Sequence, residues 1–213
     1  MIINKNIFGH DFVLHPSGAI FWTSRKILLV ADVHLGKVAH FRKAGMAVPP
    51  ESAAKNFEML SEVEAFFKPE IVCFLGDLFH STMNNEWMLF EDWVNSNQAK
   101  ILLIAGNHDV IDPDHYERIG VHVFDEMTLG EFLFTHHPKE RERVFNFCGH
   151  VHPAVRLTGK GRQQLTLPCF FNSPHQMILP AFGQFTGTYV LTPGEHDCVY
   201  ALSGEEVITI CES

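Results

Sequence analysis

An α/β fold of two β-sheets packed in one domain, with helices outside, is what the chain predicts from three observations. Short apolar runs alternate with helical patterns in the first half. After about residue 120 the helical pattern fades while short apolar runs continue between Gly and Pro. No repeat, low-complexity tract or linker separates the two halves, so one domain over residues 1–213 is expected.

Taken in order, Phe12 to Leu14 and Ala19 to Trp22 flank His15-Pro16-Ser17-Gly18, a turn signal that predicts an opening hairpin. Ile27 to Ala31 is a short buried strand, and Pro49-Pro50-Glu51-Ser52 marks a helix start. Ala53, Phe57, Leu60, Val63 and Phe67 then recur at helical spacing. Ile71 to Leu75 reads as a second strand, Glu86 to Asn95 as a helix with Trp87, Phe90, Trp93 and Val94 inward, and Ile101 to Ala105 as a third strand. This β-α-β-α-β order implies a parallel core. Further on, Glu131 to Thr135, Val144 to Cys148, Gln164 to Phe171, Thr186 to Leu191 and Val207 to Cys211 read as successive short strands.

Composition narrows the function classes. At 213 residues and 46% hydrophobic the chain can close a sizeable core. Its apolar runs fall far short of the roughly 20 residues that span a bilayer, so no membrane association is expected. The first ten residues lack the pattern of a secretory signal, which makes the cytoplasm the expected location. Five cysteines with no Cys-x-x-Cys pair suggest neither a disulfide framework nor a zinc knuckle. A net charge of −9 argues against a broad basic surface that tracks duplex DNA by charge alone, so any affinity for phosphate must be local.

Four polar clusters stand just after apolar runs: Asp32-Val33-His34, Gly76-Asp77, Gly106-Asn107-His108-Asp109 and Gly149-His150-Val151-His152. In open α/β sheets the functional crevice lies beyond the carboxyl ends of the strands, so these clusters should converge on one edge. The i, i+2 spacing of Asp32/His34 and of His150/His152 places each pair on one side of an extended segment. Gly76, Gly106 and Gly149 give room where a Cβ would crowd a ligand. Taken singly, each cluster has an ordinary explanation: an Asp after a strand caps or turns, Gly-Asn turns, and a lone His is hydrogen-bonded. Together they form a donor set of carboxylate, imidazole and amide oxygen suited to first-row divalent ions. Two such ions about 3.5 to 4 Å apart form a clamp for phosphoryl transfer. Two carboxylates leave such a pair only partly neutralised, so the site attracts phosphate despite the acidic chain.

The order Asp-x-His, Gly-Asp, Gly-Asn-His-Asp, His, Gly-His-x-His resembles the calcineurin-like metallophosphoesterase superfamily over nearly the whole chain. That resemblance implies a sandwich of two mixed sheets between helices (αββα). It assigns Asp32, His34 and His152 to one metal, Asn107, His136 and His150 to the other, Asp77 to the bridge, and His108 to the role of general acid. His136 is preferred to its neighbour His137 because it comes first after the strand, which leaves His137 to support the site or face substrate. By the same resemblance the metals are two divalent ions, Mn²⁺ favoured over Fe, Zn, Mg or Ni.

A narrower resemblance rests on Leu28 to Lys37, Ala39 to Arg42, Gly149 to Pro153, Pro168 to Phe170 and Leu179 to Gly187. These segments look like the bacterial ligase-associated DNA damage response endonucleases. The implied substrate is a phosphodiester, DNA, in a repair setting with a DNA ligase and a helicase. Lys37, His40, Arg42 and Arg162 are candidate contacts to backbone phosphate, against the alternative of a solvated loop. A phosphohydrolase of nucleotides, cyclic nucleotides or dinucleoside polyphosphates is the rival enzyme. A non-catalytic scaffold of the same fold is the rival outside catalysis, disfavoured by the complete donor set.

Overall fold

The computed structural model describes residues 1–37, 51–184 and 186–210, the side chains of residues 51–53 and 162 excepted. Its first sheet has seven strands whose spatial order equals their chain order: β1 (Ile3–Ile7), β2 (His10–Leu14), β3 (Ile20–Trp22), β4 (Ile27–Val30), β5 (Ile71–Leu75), β6 (Lys100–Ile104) and β7 (Val121–Phe124). From β1 to β4 the pairing is antiparallel; from β4 to β7 it is parallel. The expected hairpin is β2–β3, with Leu14 opposite Ile20 and His15 N donating to Ala19 O at 2.9 Å.

Helices carry the parallel crossovers: α1 (Glu51–Phe67), α2 (Glu86–Ser96) and α3 (Pro113–Arg118). The expected Pro49-Pro50 start lies outside the described residues. Leu60 and Val63 of α1 are buried, as are Trp87, Phe90, Trp93 and Val94 of α2, so the helical spacing in the sequence names the inward faces correctly. In α3, Pro113 occupies the first turn and the Asp112 carboxylate accepts from Asp114 N at 3.0 Å.

The second sheet has nine strands: β8 (Met127–Leu129), β9 (Phe132–Phe134), β10 (Phe145–Cys148), β11 (Pro153–Thr158), β12 (Gln164–Asn172), β13 (Gln176–Ile178), β14 (Tyr189–Val190), β15 (Cys198–Leu202) and β16 (Val207–Ile210). It too is mixed, with β10 parallel to both β9 and β13. Five of these strands coincide with the expected ones. Three of the others escape a reading of the sequence for physical reasons: β8 and β13 are three residues long, and β11 opens on Pro153 and carries Arg156; β15 is also not foreseen.

Alternate residues of the first sheet enter different cores, as a period of two requires. Leu28, Val30, Val72 and Phe74 pack under the helices, and the buried faces of all three described helices join this outer cluster. Ile27, Leu29, Cys73 and Leu75 face the second sheet, where Phe132, Phe134, Phe145, Phe147 and Phe170 meet Phe12 and Trp22. A third cluster, around Cys148, Cys169 and Val199, lines the far side of the second sheet. Cys73, Cys148 and Cys169 are free and buried. Cys198 is disulfide-bonded, a cross-link that the cysteine spacing did not suggest. Among the described residues no helix is long and apolar enough to cross a membrane.

Candidate metal centre

Both sheets aim strand ends at one place. Asp32 and His34 follow β4, Asp77 follows β5, and Asn107 and His108 follow β6, while His136 follows β9 and His150 and His152 follow β10. Since β9 and β10 are parallel, the second sheet supplies carboxyl ends just as the first does. The backbone at these ends departs from expectation. Asp32 (φ 54°), His34 (φ 50°), Asp77 (φ 50°), His150 (φ 69°) and His152 (φ 51°) are all left-handed, so neither His/Asp pair lies on an extended segment. Each pair converges because alternate residues are turned back on themselves, a conformation that costs of order 1–3 kcal/mol per residue and persists only under tertiary constraint.

That constraint is visible. His34 N donates to Asp77 O at 2.9 Å and Asp32 N to Gly76 O at 3.2 Å, tying the β4 end to the β5 end. The Asp77 carboxylate accepts from His108 N at 2.9 Å. In return Asp109 accepts from Phe79 N at 3.0 Å and from Gly106 N at 2.9 Å, so two loops clasp each other through their carboxylates. Burial pushes the Asp109 carboxyl up to about 6 against the pull of these two bonds. The Asp32 carboxylate accepts from His150 N at 2.9 Å, joining the two sheets. A Cβ on Gly76 would strike the His136 ring, one on Gly106 the Asp77 carboxylate, and one on Gly149 the Asp32 carboxylate. All three glycines are therefore needed for close approach, as the sequence implied.

The side chains form overlapping groups, Asp32/His34/His152 and Asp32/Asp77/His136, with donor atoms within 4.8 Å of one another in each. His34 Nε2 lies 3.3 Å from His152 Nε2 and 3.8 Å from Asp77 Oδ2. His136 Nε2 lies 3.0 Å from Asn107 Oδ1, 3.2 Å from His150 Nδ1 and 3.4 Å from Asp77 Oδ1. Main-chain carbonyls fix two tautomers: His136 Nδ1 donates to Leu75 O and His152 Nδ1 to Gly187 O, both at 3.0 Å. Each Nε2 lone pair consequently faces other acceptors. Asp32 Oδ1 and His34 Nδ1 are buried without a hydrogen-bond partner. Acceptors converging on acceptors are what a divalent cation satisfies, so these residues fit the metals that the sequence suggests.

Protonation agrees. Burial, reinforced by Lys37 and by the neighbouring His152, His80 and His108, drives His34 down to about 2, leaving it neutral as a ligand must be. Burial and the adjacent His137 and His136 lower His150. His152 differs: burial works downward, but the Asp32 carboxylate, with Oδ1 3.4 Å from Nε2, outweighs it and the net shift is upward.

His136 is buried whereas His137 is exposed with its ring against His150, centroids 4.0 Å apart. His137 nonetheless shares a donor group with His136 and His150. His108 stands edge-on to His34, centroids 5.4 Å apart, and its Nδ1 donates to His80 O at 3.2 Å. His80, which no motif singled out, stacks on His108 at 5.1 Å; its only signal in the sequence is its place three residues after Asp77. Lys37 is half-buried, its ammonium lowered by burial against the opposing pull of Asp77 and Asp32. Its charge is thus felt by the two carboxylates of the centre. His40, Arg42 and the Arg162 side chain lie outside the described residues.

A two-sheet α/β fold with carboxylate, imidazole and amide donors gathered at its strand ends defines a metallophosphoesterase. Residues 25–156 match the family model of the calcineurin-like phosphoesterases, and the chain belongs to that family, whose members are metal-dependent phosphoesterases. The Pseudomonas putida nuclease MPE is 31% identical to it, with 99% of this chain and 100% of that one covered at a TM-score of 0.83. YfcE, a phosphoesterase from E. coli, is 13% identical over 87% of this chain and 98% of its own, with a TM-score of 0.45. No curated protein matches.

Proposed function

We propose that this chain is a two-metal phosphodiesterase that cleaves DNA. The observation that carries the reading is the convergence of metal-donor side chains: Asp32, His34 and His152 on one side, Asn107, His136 and His150 on the other, with Asp77 between them. These residues would hold two divalent cations, Mn²⁺ by preference, which would supply Lewis acidity to a bound phosphate and lower the pKa of a water. The protein's own part is to orient and to move a proton. His108, its Nδ1–H held by His80 O, would in its doubly protonated form give the Nε2 proton to the departing alkoxide as general acid. Lys37 adds positive charge beside the two carboxylates, where an anionic substrate enters.

DNA as substrate is supported by the similarity to a nuclease over the full chain and by the sequence segments around the site. We place the activity in cytoplasmic DNA repair, carried by one domain over residues 1–213 and working with a DNA ligase and a helicase. A panel of monoester, diester, nucleotide, single-stranded and duplex DNA substrates with Mn²⁺ tests this. Cleavage of diesters and DNA is expected. Turnover confined to nucleotides or monoesters would sink the DNA reading, and a protein that binds no metal would sink the enzyme reading.

A further inference from the structure

A cleft of about 770 Å³ opens directly against His152. Met59, Pro153 and Ala181 give it apolar surface, and Gln184 and Thr188 supply hydrogen-bonding groups. Its charged side chains are Glu62 and Glu205; no Lys or Arg is among the described lining residues. A groove of this kind repels a phosphate backbone and suits a neutral, flat group with polar edges.

One wall, residues 181–184 and 186–188, is built into the metal centre. Phe182 N donates to Ala31 O at 2.9 Å, Gly183 N to Asp32 O at 3.1 Å, and Gly187 O holds the His152 ring. The same segment is fixed to α1, where Gln184 N donates to the buried Asn56 Oδ1 at 3.0 Å. The approach of backbone to backbone is so close that a Cβ on Gly183 would overlap Val33 O. A smaller recess of about 190 Å³ beside His136 and His137 carries Asp125, Glu126 and Lys139, the lysine paired with Glu126 at 2.5 Å, so it offers no excess of positive charge either.

We propose that the cleft beside His152 is a nucleoside subsite, taking the sugar and base attached to the phosphate held at the metal centre. The placement of that phosphate rests on the phosphodiesterase reading above. The cleft itself does not. A pocket of several hundred Å³ with a few polar groups can strengthen binding about tenfold or more over phosphate alone.

The test has two arms on the Mn²⁺-loaded protein. Calorimetric titration of thymidine, which has no phosphate, reads the cleft alone; binding is expected in the wild type and about tenfold weaker binding in Ala181→Phe, which fills the cleft. Inhibition of methyl p-nitrophenyl phosphate hydrolysis by thymidine 5′- and 3′-monophosphates is compared with inhibition by inorganic phosphate. At least one nucleotide should inhibit about tenfold more tightly than phosphate, and Ala181→Phe should abolish that ratio while leaving the phosphate constant unchanged. Thr188→Trp, at an exposed position on the same wall, gives the same reading if Ala181→Phe does not fold. No thymidine binding, or a nucleotide advantage that survives both substitutions, overturns the subsite. Thymidine binding without any ester hydrolysis leaves the subsite standing and removes the phosphodiesterase reading instead.

Discussion

Two adjacent histidines receive opposite environments. His136 is buried, with one nitrogen spent on Leu75 O and the other turned to Asn107 and Asp77, whereas His137 is exposed. His136→Ala is therefore expected to lose at least one metal equivalent by elemental analysis, and His137→Ala to keep both. Equal metal loss in the two variants would contradict the assignment. His108→Ala should retain both metals yet lose about 10²- to 10⁴-fold in turnover on DNA, with a much smaller loss on p-nitrophenyl esters, whose leaving group needs no proton. Undiminished DNA cleavage by this variant would remove His108 from the mechanism. Away from the site, burial pushes the thiols of Cys73 and Cys169 from 9.0 up to about 12. Because the folded value lies above the unfolded one, this stability is fully present below about pH 9 and is lost as pH rises towards 12. Denaturation midpoints should fall between pH 8 and pH 10.5, and less steeply in Cys73→Ala. Native protein at pH 8 should leave both thiols unalkylated.

At the scale of elements, the strand ends do more than deliver side chains. Five of the seven donor residues sit in left-handed backbone just past their strands, and the loops are held there by reciprocal bonds through Asp77 and Asp109. The motif residues were legible because each polar cluster terminates an apolar run. The left-handed turns were not, since even Asp and His, which tolerate that conformation better than most residues, rarely adopt it without bonds to other loops. His80 was illegible as part of the site, and the bond of Asp109 to Phe79 N could not be foreseen, for a related reason: the partners lie about thirty positions apart in the chain. Gly106→Ala tests how tightly the loops are set. Its Cβ would meet both the Asp77 carboxylate and the Asp77 backbone, so metal affinity should fall about tenfold or more while the far-UV circular dichroism stays unchanged. Unaltered metal affinity would show that the β5 and β6 ends have slack.

Across the whole molecule, the site exists only because two sheets face each other. The aromatic layer between them, with Phe147 ring centroids 4.9 Å from Phe12 and 5.9 Å from Phe134, fixes the second sheet's His136, His150 and His152 against the first sheet's Asp32 and Asp77. Phe147 is fully buried, and Phe147→Ala should destabilise the fold by about 3–5 kcal/mol in chemical denaturation. A loss below about 1 kcal/mol would mean that the layer repacks freely.

The sequence by itself determined the fold class, the parallel order of the first sheet, the inward faces of α1 and α2, and the polar clusters that end the strands. Periodicity and strand-end position are local signals, and they survive without knowledge of partners. Tertiary structure decided the pairing of the nine-stranded sheet, the left-handed turns, the separation of His136 from His137, and the cleft beside His152. Each of these depends on hydrogen bonds or packing between segments far apart in the chain, whose geometry no local pattern encodes.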